Sequence, residues 1–297
     1  MRIKSTFAAP LLLLAVLALQ TLADRIPYER LGWNTDPYLS VAILELAVYA
    51  LPALFYCRFR GADFTRRLRL RLFAPTHFYL LFLALAAMIV GSALINIGIL
   101  AAFPDGAQTA AQTAGEDLFP TVLAFCILPA VLEEFLFRSI IVAEYESVGV
   151  PLAVCVSAVQ FAMMHLSFRR FPAYLYCGIL LALLLYATRS VLAPMIAHSL
   201  NNVAALWIDR IIGRSSAATG GRGALLVFLL VLVLFVVLIL FFNEAQRIYK
   251  GYGEEAVPAP YVRRRKPGES AGILQTLAAP PFIVYVAAFA VLTLLKL

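Results

Sequence analysis

The chain has 297 residues, 63% of them hydrophobic and only 14% charged, with a mean hydropathy of +0.89. A soluble domain runs nearer half apolar and a quarter charged, so these numbers exclude an ordinary soluble domain and a disordered chain alike. The net charge of +7 does not call for nucleic acid, because most of the Lys and Arg lie in loops beside apolar runs, where they meet lipid headgroups.

A membrane span needs about 20 mostly apolar residues. Candidate spans fall at 10–23, 38–57, 77–103, 118–137, 150–166, 171–187, 191–208, 224–242 and 280–297. The predicted fold class is all-α, a polytopic helical membrane bundle of eight or nine transmembrane helices. The uncertain one is the first. Arg2 and Lys4 precede its apolar run and Thr21-Leu22-Ala23 closes it, as in a cleavable signal. Multispan proteins more often keep such a segment, and retention is expected.

The connections follow in order. Residues 24–37 read as a short outer loop, with Tyr28, Trp33 and Tyr38 at interfacial depth. Residues 58–76 carry Arg58, Arg60, Arg66, Arg67, Arg69 and Arg71, as a topology anchor or an arginine-rich surface helix. The stretch 104–117 holds no Lys or Arg. Basic residues favour the cytoplasm, which puts 58–76 and the later loop with Arg247, Lys250, Arg263, Arg264, Arg265 and Lys266 inside, and 104–117 outside. Arg169, Arg170, Arg210, Arg214 and Arg222 then fall outside, against the trend. Residues 243–270 are too short and polar to form a core of their own. The chain therefore divides into N-terminal spans with a basic loop (1–117), a central segment (118–208) and C-terminal spans with a polar basic loop at 243–272 (209–297).

Chemistry concentrates in the central segment. Ionisable groups are costly in a bilayer and usually mark a site there. In Leu132-Glu133-Glu134-Phe135-Leu136-Phe137-Arg138, Glu134 and Arg138 are four apart and share a helix face, while Glu133 is turned about 100° away. That arrangement frees Glu133 to face a cavity as a base, although a purely structural ion-pair cluster fits it equally. Phe161 and His165 are again four apart, which stacks a ring on the imidazole. Alone, that histidine reads more naturally as a hydrogen bond between helices. His198 and Asn202 share a third face and offer two donors to an oxyanion, or polar glue between helices. Asn201 lies off that stripe. Pro129 and Pro194 each lie four residues before a candidate and are expected to kink their helices.

The order E-E-x-x-x-R, F-x-x-x-H, H-x-x-x-N resembles the CPBP family of intramembrane proteases, which includes the CAAX prenyl-proteases and bacterial Abi proteins. The resemblance covers about ninety residues, from Leu118 to Ile208, and all three motifs match without substitution. It implies peptide hydrolysis, with Glu133 as general base activating water together with His165, and with His198 and Asn202 as the oxyanion pair. Glu134, Arg138 and Phe161 are implied as support. The implied partners are a membrane protein or membrane-associated peptide as substrate and the lipid bilayer, with no nucleic acid. Short loops suggest a bacterial inner membrane.

No cofactor is expected. His165, His198 and one of Glu133 or Glu134 are a zinc-competent donor set, but no HExxH is present, and Asn202 has a task only in the oxyanion reading. A transporter path through the buried charges and a non-catalytic membrane or immunity protein are the alternatives. Two minor signals are set aside. Gly268-Glu269-Ser270-Ala271-Gly272 spells G-x-S-x-G but lacks the strand that motif needs, and Cys57, Cys126, Cys155 and Cys177 are scattered packing residues. One tension remains: by counting along the spans, Glu133 and His198 fall toward the inner side and His165 toward the outer end.

Overall fold

The computed structural model describes residues 5–25, 37–103, 117–215, 222–252 and 271–295. The loop residues Tyr28 and Trp33, most of the 104–117 connection and Arg263 to Ser270 lie outside them, as do the side chains of Arg210, Arg214 and Arg222. Among the described residues there are eleven helices and no strand. They are α1 (Ser5–Ala23), α2 (37–60), α3 (Ala62–Thr65), α4 (Phe78–Ala102), α5 (118–145), α6 (Val150–Met164), α7 (Phe171–Thr188), α8 (Leu192–Ser215), α9 (Arg222–Gly251), α10 (Ala271–Leu277) and α11 (Pro280–Leu295). Four of these stretches are long and apolar enough to cross a membrane: Tyr38–Arg60, Pro75–Ala102, Phe171–Thr188 and Gly223–Gly251. Phe7–Ala23, Val150–Met164 and Pro280–Leu295 are shorter apolar helices.

Two apolar clusters organise the bundle. One joins α1, α2, α5, α6 and α11, and the other joins α4, α7 and α9. Helix α1 commits its Ala9, Leu13 and Val16 face, fully buried, against α11 and α2. Helix α7 is buried on nearly every side, consistent with its all-round apolar sequence. It touches α6 closely at Gly178, where an added Cβ would stand 3.1 Å from the Ala158 Cα and 3.3 Å from Phe161. A side chain there would press the two helices apart by a few tenths of an ångström.

Helices α2 and α5 are each interrupted by wider, π-type turns. In α2 such a turn spans Leu46–Ala50 and Pro52 follows it; in α5 one spans Leu123–Ile127 and Pro129 follows it. A proline ring clashes with the carbonyl one turn back, and a widened turn relieves the clash while letting the helix continue. A second wide turn in α5, Phe135–Ile141, begins directly after Glu134. Pro194 behaves differently from expectation. It is the third residue of α8, in the first turn, where a backbone N–H has no helical partner, so its absence costs nothing there and gives no reason for a kink.

The basic loop holds no arginine-rich surface helix beyond the four-residue α3. Arg58, Arg66 and Arg71 are exposed, while Arg60, Arg67 and Arg69 turn onto the end of α5. The fully buried Glu144 receives Arg60 Nε at 2.6 Å and the Tyr56 hydroxyl at 2.7 Å. Arg69 pairs with Glu146, and Arg67 donates to the Ala143 carbonyl. Arg71 Nε donates to the Arg189 carbonyl at 2.7 Å, and the Val191 amide donates to the Arg69 carbonyl at 3.1 Å. The loop thus forms a floor under α5 and the α7–α8 turn.

Candidate active site

Helix α5 runs eight residues beyond the expected end at Phe137, to Tyr145, and α6 starts after the short turn 146–149. At 1.5 Å per residue, Glu133 lies about 18 Å up α5 from that turn, and His165 about 22 Å up α6. The two are therefore nearly level. The tension in depth came from counting α5 as ending at Phe137; α6, at 15 residues, is too short to cross about 30 Å of hydrocarbon on its own.

His165 caps the C-terminal end of α6, and its Nδ1 lies 2.9 Å from the Phe161 carbonyl oxygen. A carbonyl only accepts, so Nδ1 carries the proton. His198, on α8, places Nδ1 2.9 Å from Glu134 Oε1, and again the ionised carboxylate accepts. Both Nε2 atoms are left facing the same group. Glu133 Oε1 is 3.9 Å from His165 Nε2, and Glu133 Oε2 is 3.8 Å from His198 Nε2. These gaps are too long for direct hydrogen bonds and suit a bridging water.

Beneath this face lies a dry support. Glu134 and Arg138 are both fully buried, with Oε2 and Nε 3.1 Å apart. Arg138 Nη2 donates to the Gly178 carbonyl at 3.2 Å, and its guanidinium lies 4.4 Å from the Phe161 ring centroid. Phe161 in turn stands edge-on to His165 at 4.8 Å and to His198 at 5.6 Å. One ring therefore positions both imidazoles and receives the cation.

The structure thus gathers Glu133, Glu134, Arg138, Phe161, His165 and His198. Asn202 sits one turn beyond His198, and its Nδ2 lies 3.4 Å from the Cys126 carbonyl, in the wide turn before Pro129. That leaves the second amide N–H of Asn202 for another acceptor. Sequence reasoning missed Tyr174, whose ring stacks on His165 at 3.7 Å with a 20° tilt; no spacing links residues on two different helices. It also missed Glu45, the single acid in the second span, although a lone acid in an apolar run is itself a signal.

Among the described residues, no three His, Cys, Asp or Glu side chains group closely enough to hold a metal ion. Glu133 stands 3.9 and 3.8 Å from the two imidazole nitrogens, and the donors of a tetrahedral zinc sit roughly 3.4 Å from one another.

Residues 115–204 match the family model described as type II CAAX prenyl endopeptidase Rce1-like. The match encloses every group gathered above and excludes α2, α4 and α9. No curated protein and no solved structure matches the chain.

Proposed function

We propose an intramembrane endopeptidase that hydrolyses its substrate with a glutamate-activated water, a reading supported by the match of residues 115–204 to the Rce1-like type II CAAX prenyl endopeptidase model and by the helices long and apolar enough to cross a membrane. The observation that carries this reading is the pair of imidazole Nε2 atoms turned on Glu133 at 3.9 and 3.8 Å, each ring pinned at Nδ1 by an acceptor. A water in that gap has two acceptors for its two protons, the Glu133 carboxylate and the His165 Nε2.

Glu133 takes one proton as the water oxygen attacks the carbonyl. The developing oxyanion is met by His198 Nε2 and the free amide N–H of Asn202. His198 donates from Nε2 only as an imidazolium, and Glu134 at its Nδ1 supplies the counter-charge.

The substrate is a membrane protein or membrane-associated peptide. The bundle has eight or nine spans, with α5 and α8 among them, in a bacterial inner membrane. No metal takes part, and Asn202 has its task as an oxyanion donor. The test is cleavage of a quenched peptide library by the full chain purified in detergent, with metal analysis of the same sample. Glu133→Gln and His198→Ala should each lower turnover by at least about 10²-fold, and activity should survive chelation. Normally folded variants with wild-type turnover would remove Glu133 and His198 from the reaction. One tightly held zinc per chain, with activity lost on its removal and restored on its return, would replace the metal-free mechanism.

A further inference from the structure

A cavity of about 400 Å³ opens between the start of α6, the end of α7 and the last third of α9, a volume within the range of small-ligand sites. Val150 and Val154 of α6, Leu183 of α7 and Phe241 of α9 give it apolar walls. Lys250 lies nine residues after Phe241 on α9, about 13 Å further along the helix. The cavity is therefore apolar at one end and cationic at the other. The unbroken apolar run of α9 ends at Phe242, so the cavity straddles the edge of the hydrocarbon. Tyr186 and Tyr249 line it there, in keeping with the gathering of tyrosines at membrane–water interfaces. None of the candidate catalytic groups lines it. Val150 stands at the α5–α6 turn, from which Glu133 is about 18 Å up α5.

The charge at the cationic end is uncompensated. Glu146 is paired with Arg69, and Glu244 accepts from Arg247 Nε at 2.7 Å. Among the described residues no carboxylate pairs with Lys250. Two more cations stand one ring away from the walls. The Arg69 guanidinium is 4.9 Å from the Tyr186 ring centroid, and that of Arg189 is 3.7 Å from the Tyr252 centroid. The Tyr252 hydroxyl in turn donates to the carbonyl of Ala187, a cavity residue, at 2.9 Å. Basic pockets between spans attract anionic headgroups. A zwitterionic headgroup would add its own cation to this cluster, and a neutral one would leave it unanswered.

We propose that this cavity is a binding site for one anionic phospholipid, with its phosphate at Lys250 and the start of an acyl chain against Val154, Leu183 and Phe241. Gln246 lies one turn before Lys250 on the same helix face, and both side chains have N–H donors for phosphate oxygens. The lysine stem runs along the apolar wall while its ammonium reaches the headgroup. Such a lipid also answers a need of the fold. Only 6% of the apolar stretch of α9 is buried in the protein, against 61% for α7. A lipid seated here touches α6, α7 and α9 together and holds the least enclosed span to the bundle. It is a fixed structural ligand, separate from the peptide that is cleaved.

Selective retention tests this. The full chain, washed free of lipid in neutral detergent, is offered phosphatidylglycerol, phosphatidylcholine or glycerol 1-phosphate at equal concentration. Thermal melts and mass spectrometry of the intact complex are the readouts. Phosphatidylglycerol should stay bound at one molecule per chain and raise the melting temperature by at least about 3 °C. Phosphatidylcholine should be retained at least about tenfold less, and glycerol 1-phosphate, an anion without a chain, should not shift the melt. Lys250→Glu, at the exposed end of α9, should weaken retention of phosphatidylglycerol by at least about tenfold. Ala245→Phe puts a ring into the cavity and should abolish it, while Glu133→Gln should bind as wild type does. Equal retention of the two lipids, or unchanged retention in Lys250→Glu or Ala245→Phe, overturns the site. An equal shift with glycerol 1-phosphate would make the ligand a free phosphate and overturn the lipid. Loss of binding in Glu133→Gln would move the lipid to the candidate active site and overturn the proposal as well.

Discussion

Removing the Arg138 cation while keeping its bulk, as in Arg138→Met, isolates what the buried ion pair does. Both partners are fully buried and 3.1 Å apart, so their attraction at an effective dielectric of 20 is about 5 kcal/mol. Methionine keeps the aliphatic stem but leaves Glu134 facing only His198. Breaking a buried pair in this way costs about 3–5 kcal/mol. The lost bond to the Gly178 carbonyl adds about 1 kcal/mol, and the cation over Phe161 adds about 1 kcal/mol more. At roughly 2–4 °C per kcal/mol for a chain of this size, the melting temperature should fall by at least about 10 °C. Arg138→Met/Glu134→Gln, which leaves no orphaned charge, should regain much of that loss without regaining activity, because His198 then lacks its carboxylate. Thermal melts in detergent followed by size exclusion, run beside peptide cleavage, read both effects. If Arg138→Met melts within about 2 °C of wild type, the buried guanidinium and its bond to Gly178 are not what holds α5 against α7. A normally stable Arg138→Met without activity would place the guanidinium in the chemistry instead.

Gly178→Ala should lower stability by about 1–3 kcal/mol, because the new Cβ meets the Ala158 backbone at 3.1 Å and neither helix can yield a side chain to make room; an unchanged melt would refute the close approach. Tyr174→Leu removes the ring stacked on His165 at 3.7 Å and should cost about tenfold in turnover through loss of alignment. Tyr174→Phe keeps the stack and should stay within about twofold of wild type, and a parallel loss in both variants would assign the effect to the hydroxyl.

The all-helical class and the motif set were legible because both depend on spacing along one helix. Four-residue intervals bring Glu134 to Arg138 and Phe161 to His165 whatever the surroundings. Contacts between helices were not legible. Tyr174 on His165, Gly178 under Arg138 and Cys126 beside Asn202 depend on helix rotation and approach, which no local pattern encodes. Helix ends misled for a related reason. Hydropathy falls after Phe137, yet α5 continues to Tyr145 because its Glu144 is neutralised by Arg60 from 84 residues upstream. Pro194 looked like Pro129 in sequence and differs from it only by lying in a first turn.

That same separation of 84 residues sets an order of events during synthesis. The arginines of 58–71 are made well before Glu144 and Glu146, and while the early spans are being inserted they stand as uncompensated positive charge, the condition under which they hold their side of the membrane. When α5 arrives, Arg60 and Arg69 find their carboxylates, while Arg58, Arg66 and Arg71 stay exposed. Orientation comes first and closure of the floor second, with one set of side chains serving as address label and then as latch.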